Sequence, residues 1–283
     1  DVERSRGLGD VYKRQGSVSV ENNQISNVAD PTHNQDAVTL GLLLKKIKIL
    51  QEQIDVLNSN FDYGTVSDQE GNSYPYVTYG DQLWTIKNAE METYRDGTPI
   101  PEVNDINTWR NLKTGAWCYY DNDPSKGKLY NWYAVMGIHD NDENTPNKKF
   151  APEGWHVPTD AEWTTLENYL IANGYNYDGT TTGNKIAKAM ASTTGWNTST
   201  VTGAVGNDQS LNNSSGFNGF PEGTRNYFGS FSNNEGNQAI FWSSTEEDVY
   251  NVWDRYLSYK NSYLYRTNDN KRDGFSVRFV KDN

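Results

Sequence analysis

Cysteine is nearly absent. The single Cys118 in 283 residues excludes an internal disulfide framework and any site built from several thiolates. Histidine is scarce as well: His33, His139 and His156 stand alone, with no pair at the H-E-x-x-H spacing that sets two imidazoles on one helix face. No apolar run approaches the roughly 20 residues that span a bilayer, and no hydrophobic signal segment opens the chain. Basic residues are outnumbered, since 25 Lys and Arg against 37 Asp and Glu give a formal net charge of −12. That is the wrong balance for clustered phosphate contacts. The densest basic cluster, Lys45, Lys46 and Lys48, falls on a helix and reads as a solvated face. G-x-S-x-G elbows, Walker loops and G-x-G-x-x-G turns are missing. Asp140-Asn141-Asp142-Glu143-Asn144 offers oxygens to a hard cation but lacks the twelve-residue calcium-loop pattern, and reads as a solvated loop. These absences predict no nucleic-acid partner, no membrane span, no cofactor, no metal site and no catalytic residue.

What is present is aromatic. Nine Trp, nineteen Tyr and nine Phe provide large buried area per residue, so a core is attainable despite a mean hydropathy of −0.86. The length suits one globular domain and an extended stem. Leu40, Leu43, Ile47, Leu50, Ile54 and Leu57 alternate at spacings of three and four, a heptad seam that predicts a coiled-coil helix over 40–58. An amphipathic helix packed on the globular domain is the alternative. Residues 59–75 read as a polar linker, and 76–283 as the head. Tyr76 to Ala89 reads as strand around a turn at Gly80-Asp81. Thr159-Asp160-Ala161-Glu162 carries a capping box, after which Trp163, Leu166 and Leu170 line one helix face up to Gly174. A weaker helix is expected around 184–191. From Thr193 onward Gly, Asn, Ser and Thr dominate, predicting ordered loops. Trp155, Trp163, Trp196 and Trp242 are core candidates. Phe275, Val277 and Phe279 alternate with Ser276 and Arg278 as a terminal strand with one apolar face, Arg278 being expected to meet a carboxylate.

Four stretches carry a family resemblance: Gly127-Lys128-Leu129-Tyr130-Asn131-Trp132-Tyr133-Ala134-Val135, Ala151-Pro152-Glu153-Gly154-Trp155-His156-Val157-Pro158, Phe241-Trp242-Ser243-Ser244-Thr245-Glu246 and Asp273-Gly274-Phe275-Ser276-Val277-Arg278-Phe279. Together, from about Val77 to Asp282, they resemble the Fibrobacter succinogenes major paralogous domain family. The resemblance implies an α+β, C-type lectin-like head, similar to the formylglycine-generating sulfatase-modifying fold, here preceded by a parallel coiled-coil helix. Enzymes of that fold use reactive cysteines, which the lone Cys118 cannot supply as a pair. Residues 16–39, with Ile25-Ser26-Asn27-Val28-Ala29-Asp30-Pro31, resemble a connector of phage tail fibres and bacterial surface fibres. Those fibres imply trimers, whereas Ile at one seam position and Leu at the other favours two strands. Self-association is therefore expected with its number open. Asp10-Val11-Tyr12-Lys13-Arg14-Gln15 resembles the translated recognition end of a transposase used in sequencing libraries. Residues 1–15 are accordingly expected to be disordered and foreign, with the native N-terminus missing.

The candidate site is the segment holding Tyr250, Asn251, Asp254, Tyr256, Tyr259, Asn261, Tyr263, Tyr265, Arg266, Asn268, Asn270 and Arg272. Tyr gives stiff amphipathic contact area, Asn adaptable hydrogen bonds and Arg a planar fork, the chemistry of antibody paratopes. The segment also resembles the variable region of diversity-generating retroelement targets. A non-enzymatic head recognising a cell-surface protein or glycan is expected, on an extracellular, cell-surface or virion fibre. A polysaccharide-active enzyme using paired carboxylates, or a purely structural surface protein, are the alternatives. Replacing Tyr256, Tyr259 and Tyr263 together by Ala is expected to abolish binding while leaving thermal unfolding nearly unchanged.

Overall fold

The computed structural model describes residues 19–21, 24–26, 40–59, 64–232 and 235–282. The expected foreign segment 1–15 and most of the 16–39 connector lie outside them. The chain divides into two compact units, residues 1–61 and 62–283. In the first, β1 (Ser19–Glu21) and β2 (Gln24–Ser26) form an antiparallel hairpin with Val20 opposite Ile25. Helix α1 runs Leu40–Ser59, where the heptad periodicity begins and ends. Its seam residues Leu43, Ile47 and Leu50 are each about half exposed, at 46%, 52% and 57%.

The second unit is mixed, mostly sheet with a few short helices. β3 (Gly64–Ser67), β4 (Ser73–Tyr79), β5 (Gln82–Thr85), β8 (Trp155–His156) and β14 (Val280–Lys281) form an antiparallel sheet in the order β3-β4-β5-β14-β8. β3 and the first residues of β4 fall within the 59–75 stretch read as a linker. Tyr74 is fully buried and Val66 rests on the core, so those residues belong to the sheet. The expected turn is at Gly80, whose φ of +63° suits glycine. Helices α2 (Ile106–Trp109) and α3 (Trp132–Val135) are single turns. Helix α4 (Asp160–Ala172) begins as expected: the Thr159 hydroxyl accepts the Glu162 N–H and the Glu162 carboxylate accepts the Thr159 N–H. The weaker helix shrinks to α5 (Ala187–Met190). A three-stranded antiparallel sheet, β11 (Gln238–Glu246), β12 (Asn251–Ser258) and β13 (Tyr265–Asn270), completes the frame with the small pairs β6 (Trp117–Tyr119) with β7 (Lys128–Tyr130) and β9 (Thr224–Arg225) with β10 (Phe231–Ser232).

The segment 274–281 lies in the middle of this frame. Phe275 exchanges backbone hydrogen bonds with Tyr130, Gly274 with Arg225, Ser276 bonds to β11, and the Val277 and Phe279 carbonyls accept from Ala89 and Thr85. Phe275, Val277 and Phe279 enter the main core as their alternation predicts. The opposite face is buried too, which the alternation did not predict. Arg278 is 1% exposed, with its guanidinium over the Phe217 ring at 4.7 Å, and it donates to the Thr85, Phe217 and Asn218 carbonyls and the Asn88 amide oxygen. It hydrogen-bonds no carboxylate, contrary to expectation. Burial pulls its pKa down to about 9. Arg225 plays the same part for loop carbonyls of Val103, Asn104 and Gly229 under the Trp109 ring. Loops carry carbonyls that no ladder satisfies, and a buried cation with several donors satisfies them in groups.

The indoles behave alike. Trp163, Trp242 and Trp132 donate their ring N–H to the carbonyls of Trp242, Tyr130 and Ser243, and Trp196 donates to the Ser192 hydroxyl. Fully burying such a ring is worth about 1.5–3 kcal/mol, and the partnered N–H removes the opposing cost. Cys118 is buried, its thiol pushed up to about 11 by burial. No helix among the described residues is long and apolar enough to cross a membrane.

Candidate functional site

Alternation along β12 sorts its side chains onto two faces. Val252, Asp254 and Tyr256 point one way, Trp253, Arg255 and Leu257 the other. Register places Tyr265, Thr267 and Asp269 of β13 opposite Tyr256, Asp254 and Val252. The second face packs toward α4. There the fully buried Arg255 donates to Asp160 at 2.7 Å, and Arg266 grips the same carboxylate with two bonds of 2.9 Å while lying 3.4 Å over the Trp253 ring. Burial would raise the Asp160 pKa, but the two guanidiniums outweigh it and hold it low. Arg266 is therefore spent on its own frame.

The first face borders a cleft of about 430 Å3. Ile240, Tyr256, Thr267, Asn268, Asp269, Asp273 and Phe275 line it, together with Asn226 and Tyr227 from the loop between β9 and β10. Tyr256 stacks on Tyr265 at 4.1 Å with the rings 6° from parallel, and Tyr263 follows at 4.3 Å. The Tyr265 hydroxyl donates to that of Tyr263 at 2.8 Å and accepts from the Asn261 amide. This ladder fixes three rings without burying Tyr263, which is 40% exposed. Across the cleft, the Asn226 side chain accepts the Phe228 and Ser230 N–H groups, and Tyr227 and Phe228 stack at 4.1 Å. Gly229 closes that loop at φ +88°, with a β-carbon there only 2.5 Å from the Ile106 carbonyl oxygen.

The carboxyls are the unusual part. Asp254 is fully buried; one oxygen accepts from the Thr267 hydroxyl at 2.8 Å, and the other has no partner unless a proton lies between it and Asp269. Burial, then the Asp269 charge, pushes the Asp254 pKa well up, and burial raises Asp269. Asp273, 5% exposed, accepts the Asn270 N–H at 2.8 Å, and burial lifts it to about 7.

Among the sequence-predicted residues, Tyr256 and Asn268 line the cleft, Asp254 is buried on the same sheet face, and Tyr265, Tyr263 and Asn261 form the ladder beside Tyr256. Tyr250 stands out at 68% exposed within the β11–β12 turn, where Asn251 donates to Asp248. Asn270 accepts from Arg272, which reaches the Arg110 carbonyl and lies 5.7 Å from the Tyr227 ring. Tyr259 is half-buried beside Lys260, its backbone bonded to Gly206 and Asn237. Tyr256 also packs against the main core, so the triple replacement that includes it would disturb the fold. Thr267, Asp269 and Asp273 were not selected from the sequence; the period-two alternation through Tyr265, Thr267 and Asp269 was the available signal. Asn226 and Tyr227 had none, because only the bridge between Arg225 and Gly274 brings their loop here.

Among the described residues, no group of three or more His, Cys, Asp or Glu is arranged to hold a metal ion. In comparison with known proteins, the model of the Fibrobacter succinogenes major domain matches residues 77–281. No curated protein and no solved structure matches the chain.

Proposed function

The chain belongs to the Fibrobacter succinogenes major domain family, and from that premise we propose that it is a non-enzymatic ligand-binding head of C-type lectin-like fold. The head recognises a cell-surface protein or glycan through the β12–β13 side of the molecule and is carried on a self-associating, fibre-like stem outside the cell. The observation that carries this reading is the Tyr256–Tyr265–Tyr263 ladder, held beside an open cleft by stacking and hydroxyl bonds. Rings fixed before binding lose little entropy on contact, and the arginines and indoles behind them keep the frame rigid. Tyr263 in the β12–β13 loop and Tyr250 in the β11–β12 turn at the other end of β12 supply exposed aromatic area on the hairpin. The exposed seam of α1 supports the stem, since Leu43, Ile47 and Leu50 form the apolar stripe that a parallel coil buries. Retroelement diversification of the Tyr/Asn-rich hairpin fits the same picture.

The test is binding of the labelled chain to arrays of immobilised glycans and surface proteins. Tyr250→Ala with Tyr263→Ala should cut the signal at least tenfold while shifting Tm by no more than about 2 °C, as exposed substitutions do. Undiminished binding by the double variant would refute the assignment of the face. One observation favours a second reading, a carboxylate-dependent polysaccharide-active enzyme: Asp269 and Asp273 line the same cleft, and Asp273, lifted by burial to about 7, suits a general acid. Turnover of arrayed polysaccharide that disappears in Asp273→Asn would favour it over binding alone.

A further inference from the structure

An ionised carboxylate only accepts hydrogen bonds, and Asp254 is placed where that fails. It lies on the middle strand of the β11-β12-β13 sheet and is fully buried. The Thr267 hydroxyl serves one oxygen across the ladder at 2.8 Å. The other oxygen is sealed from water and, among the described residues, finds no donor. What it meets is a second carboxyl, Asp269, two residues on from Thr267 along β13 and on the same face. Two charges in contact there would repel, and native interiors rarely leave such an atom orphaned.

The elements packed around the pair do not resolve the conflict. β11 sets the neutral Trp242 opposite Asp254. Arg255, next along β12, turns its guanidinium to Asp160 on the far face and acts on Asp254 through its charge alone. Asp273 takes the Asn270 and Tyr227 N–H groups near Asp269, with Arg272 beside it as partial compensation. Tyr256 and Tyr265 complete the titratable groups on this face. A single proton between the carboxyls does resolve it: Asp254 donates to Asp269, and the charge that remains rests on Asp269, which is only half-buried.

Loss of that proton would be felt on β13. This strand is the edge of the sheet. On its outer side it is pinned near its ends, where the Asn184 amide clasps the Leu264 N–H and carbonyl and Asp273 accepts from Asn270. We propose that the shared proton is a latch: while present it ties β13 to β12 through Asp254 and Asp269, and its loss lets the stretch from Thr267 to Asn270 lift away and admit water to Asp254. Moving an edge strand relieves the repulsion without opening the core. The hairpin that carries Tyr263 and Tyr265 therefore loosens in alkali. That this hairpin is a contact face rests on the reading above; the latch stands without it.

The protonated form is the buried one, so the pH dependence has one direction. Unfolded, Asp254 ionises near the ordinary value of 3.8; folded, burial and then the Asp269 charge keep it protonated well above that. The stability held by the pair is thus complete below the ordinary value and falls as pH rises, until the folded pair itself ionises. Asp254→Asn supplies the control. Its amide N–H donates to Asp269 as the proton does, its oxygen still accepts from Thr267, and no pH removes either bond.

The experiment is amide hydrogen exchange of the whole chain and of Asp254→Asn, compared at equal pH so that intrinsic rates cancel. Over residues 265–270 the ratio of native to variant rates should lie near one at about pH 5 and rise at least tenfold by about pH 9, while 73–85 in the other sheet should stay near one throughout. Carboxyl carbon NMR of the unaltered chain, which needs no variant, should show Asp254 still protonated at about pH 6 with Asp269 ionised. A ratio indifferent to pH, or an Asp254 signal that titrates as an ordinary carboxyl, overturns the latch. Array binding that weakens in alkali for the native chain and not for Asp254→Asn would support latch and contact face together. A rising exchange ratio beside array binding that ignores pH would keep the latch and sink the hairpin as the contact.

Discussion

His156 joins the end of the chain to the start of α4. Its two ring nitrogens meet Asp282 at 2.6 Å and Glu162 at 2.8 Å. Carboxylates only accept, so both nitrogens must carry protons and the ring is an imidazolium. The Glu162 hydrogen bond raises its pKa above 6.5, while in Glu162 the bonds from His156 and Thr159 outweigh burial and hold the pKa below 4.5. The signs differ in consequence. The His156 contribution is complete below 6.5 and fades as pH rises through the raised value, whereas the Glu162 contribution is complete above 4.5 and fades below it. The bridge should therefore stabilise most between pH 4.5 and 6.5. In melting curves from pH 4 to 9, the gap in Tm between the native chain and His156→Gln should be widest in that window and narrow on both sides. A gap independent of pH would remove charge from the explanation. Sequence placed His156 in the Gly154-Trp155-His156-Val157-Pro158 stretch, but could not show Asp282 as its partner, because 126 positions separate them. Arg278 shows the same limit in another form: period-two spacing identifies its face, while the carbonyls it serves come from loops that no periodicity marks.

At the scale of elements, local signals were legible wherever they act locally. The Thr159 capping box was readable because donor and acceptor lie three residues apart. Thr159→Ala should cost about 1 kcal/mol by urea denaturation, with Glu162 then losing a partner and His156 unaffected at Nδ1. Strand alternation along β12 was available in the sequence too, yet it could not say that Asp254 is buried beside Asp269 and Arg255 against a helix. Burial on both faces of a hairpin is decided by what packs against it. The two tyrosines of the ladder make that distinction measurable. Tyr256→Ala removes a ring that touches the main core and should destabilise by about 2–3 kcal/mol, whereas Tyr263→Ala should change stability by less than about 0.5 kcal/mol. Comparable losses from both would place Tyr263 in the core instead of at the contact edge.

At the scale of the whole molecule, the proposed stem would set valency. The exposed Leu43, Ile47 and Leu50 of α1 should hold chains together in parallel, and light scattering should give an integral multiple of 32.1 kDa. Ile47→Asp with Leu50→Asp should reduce that to a single chain and weaken attachment to a densely coated surface by roughly 100-fold, with solution affinity of each head unchanged. A single-chain mass for the unaltered protein would leave the helix without this role. Composition gave the aromatic core and the acidic balance, and the heptad spacing gave the helix. The cleft stayed hidden because its walls come from residues near 227, 256 and 270, joined only through the central segment 274–281. That segment has a consequence for how the molecule is made. The strand that closes the core is translated after the contact hairpin, so a frameshift or stop between Tyr250 and Asp273 deletes the closing strand along with the altered surface. Such a chain cannot bury Trp242, Tyr130 or Phe150 and becomes a substrate for proteolysis. Synthesis thus proofreads the β12–β13 hairpin: a ribosome must read its codons in frame before the strand that completes the core is made.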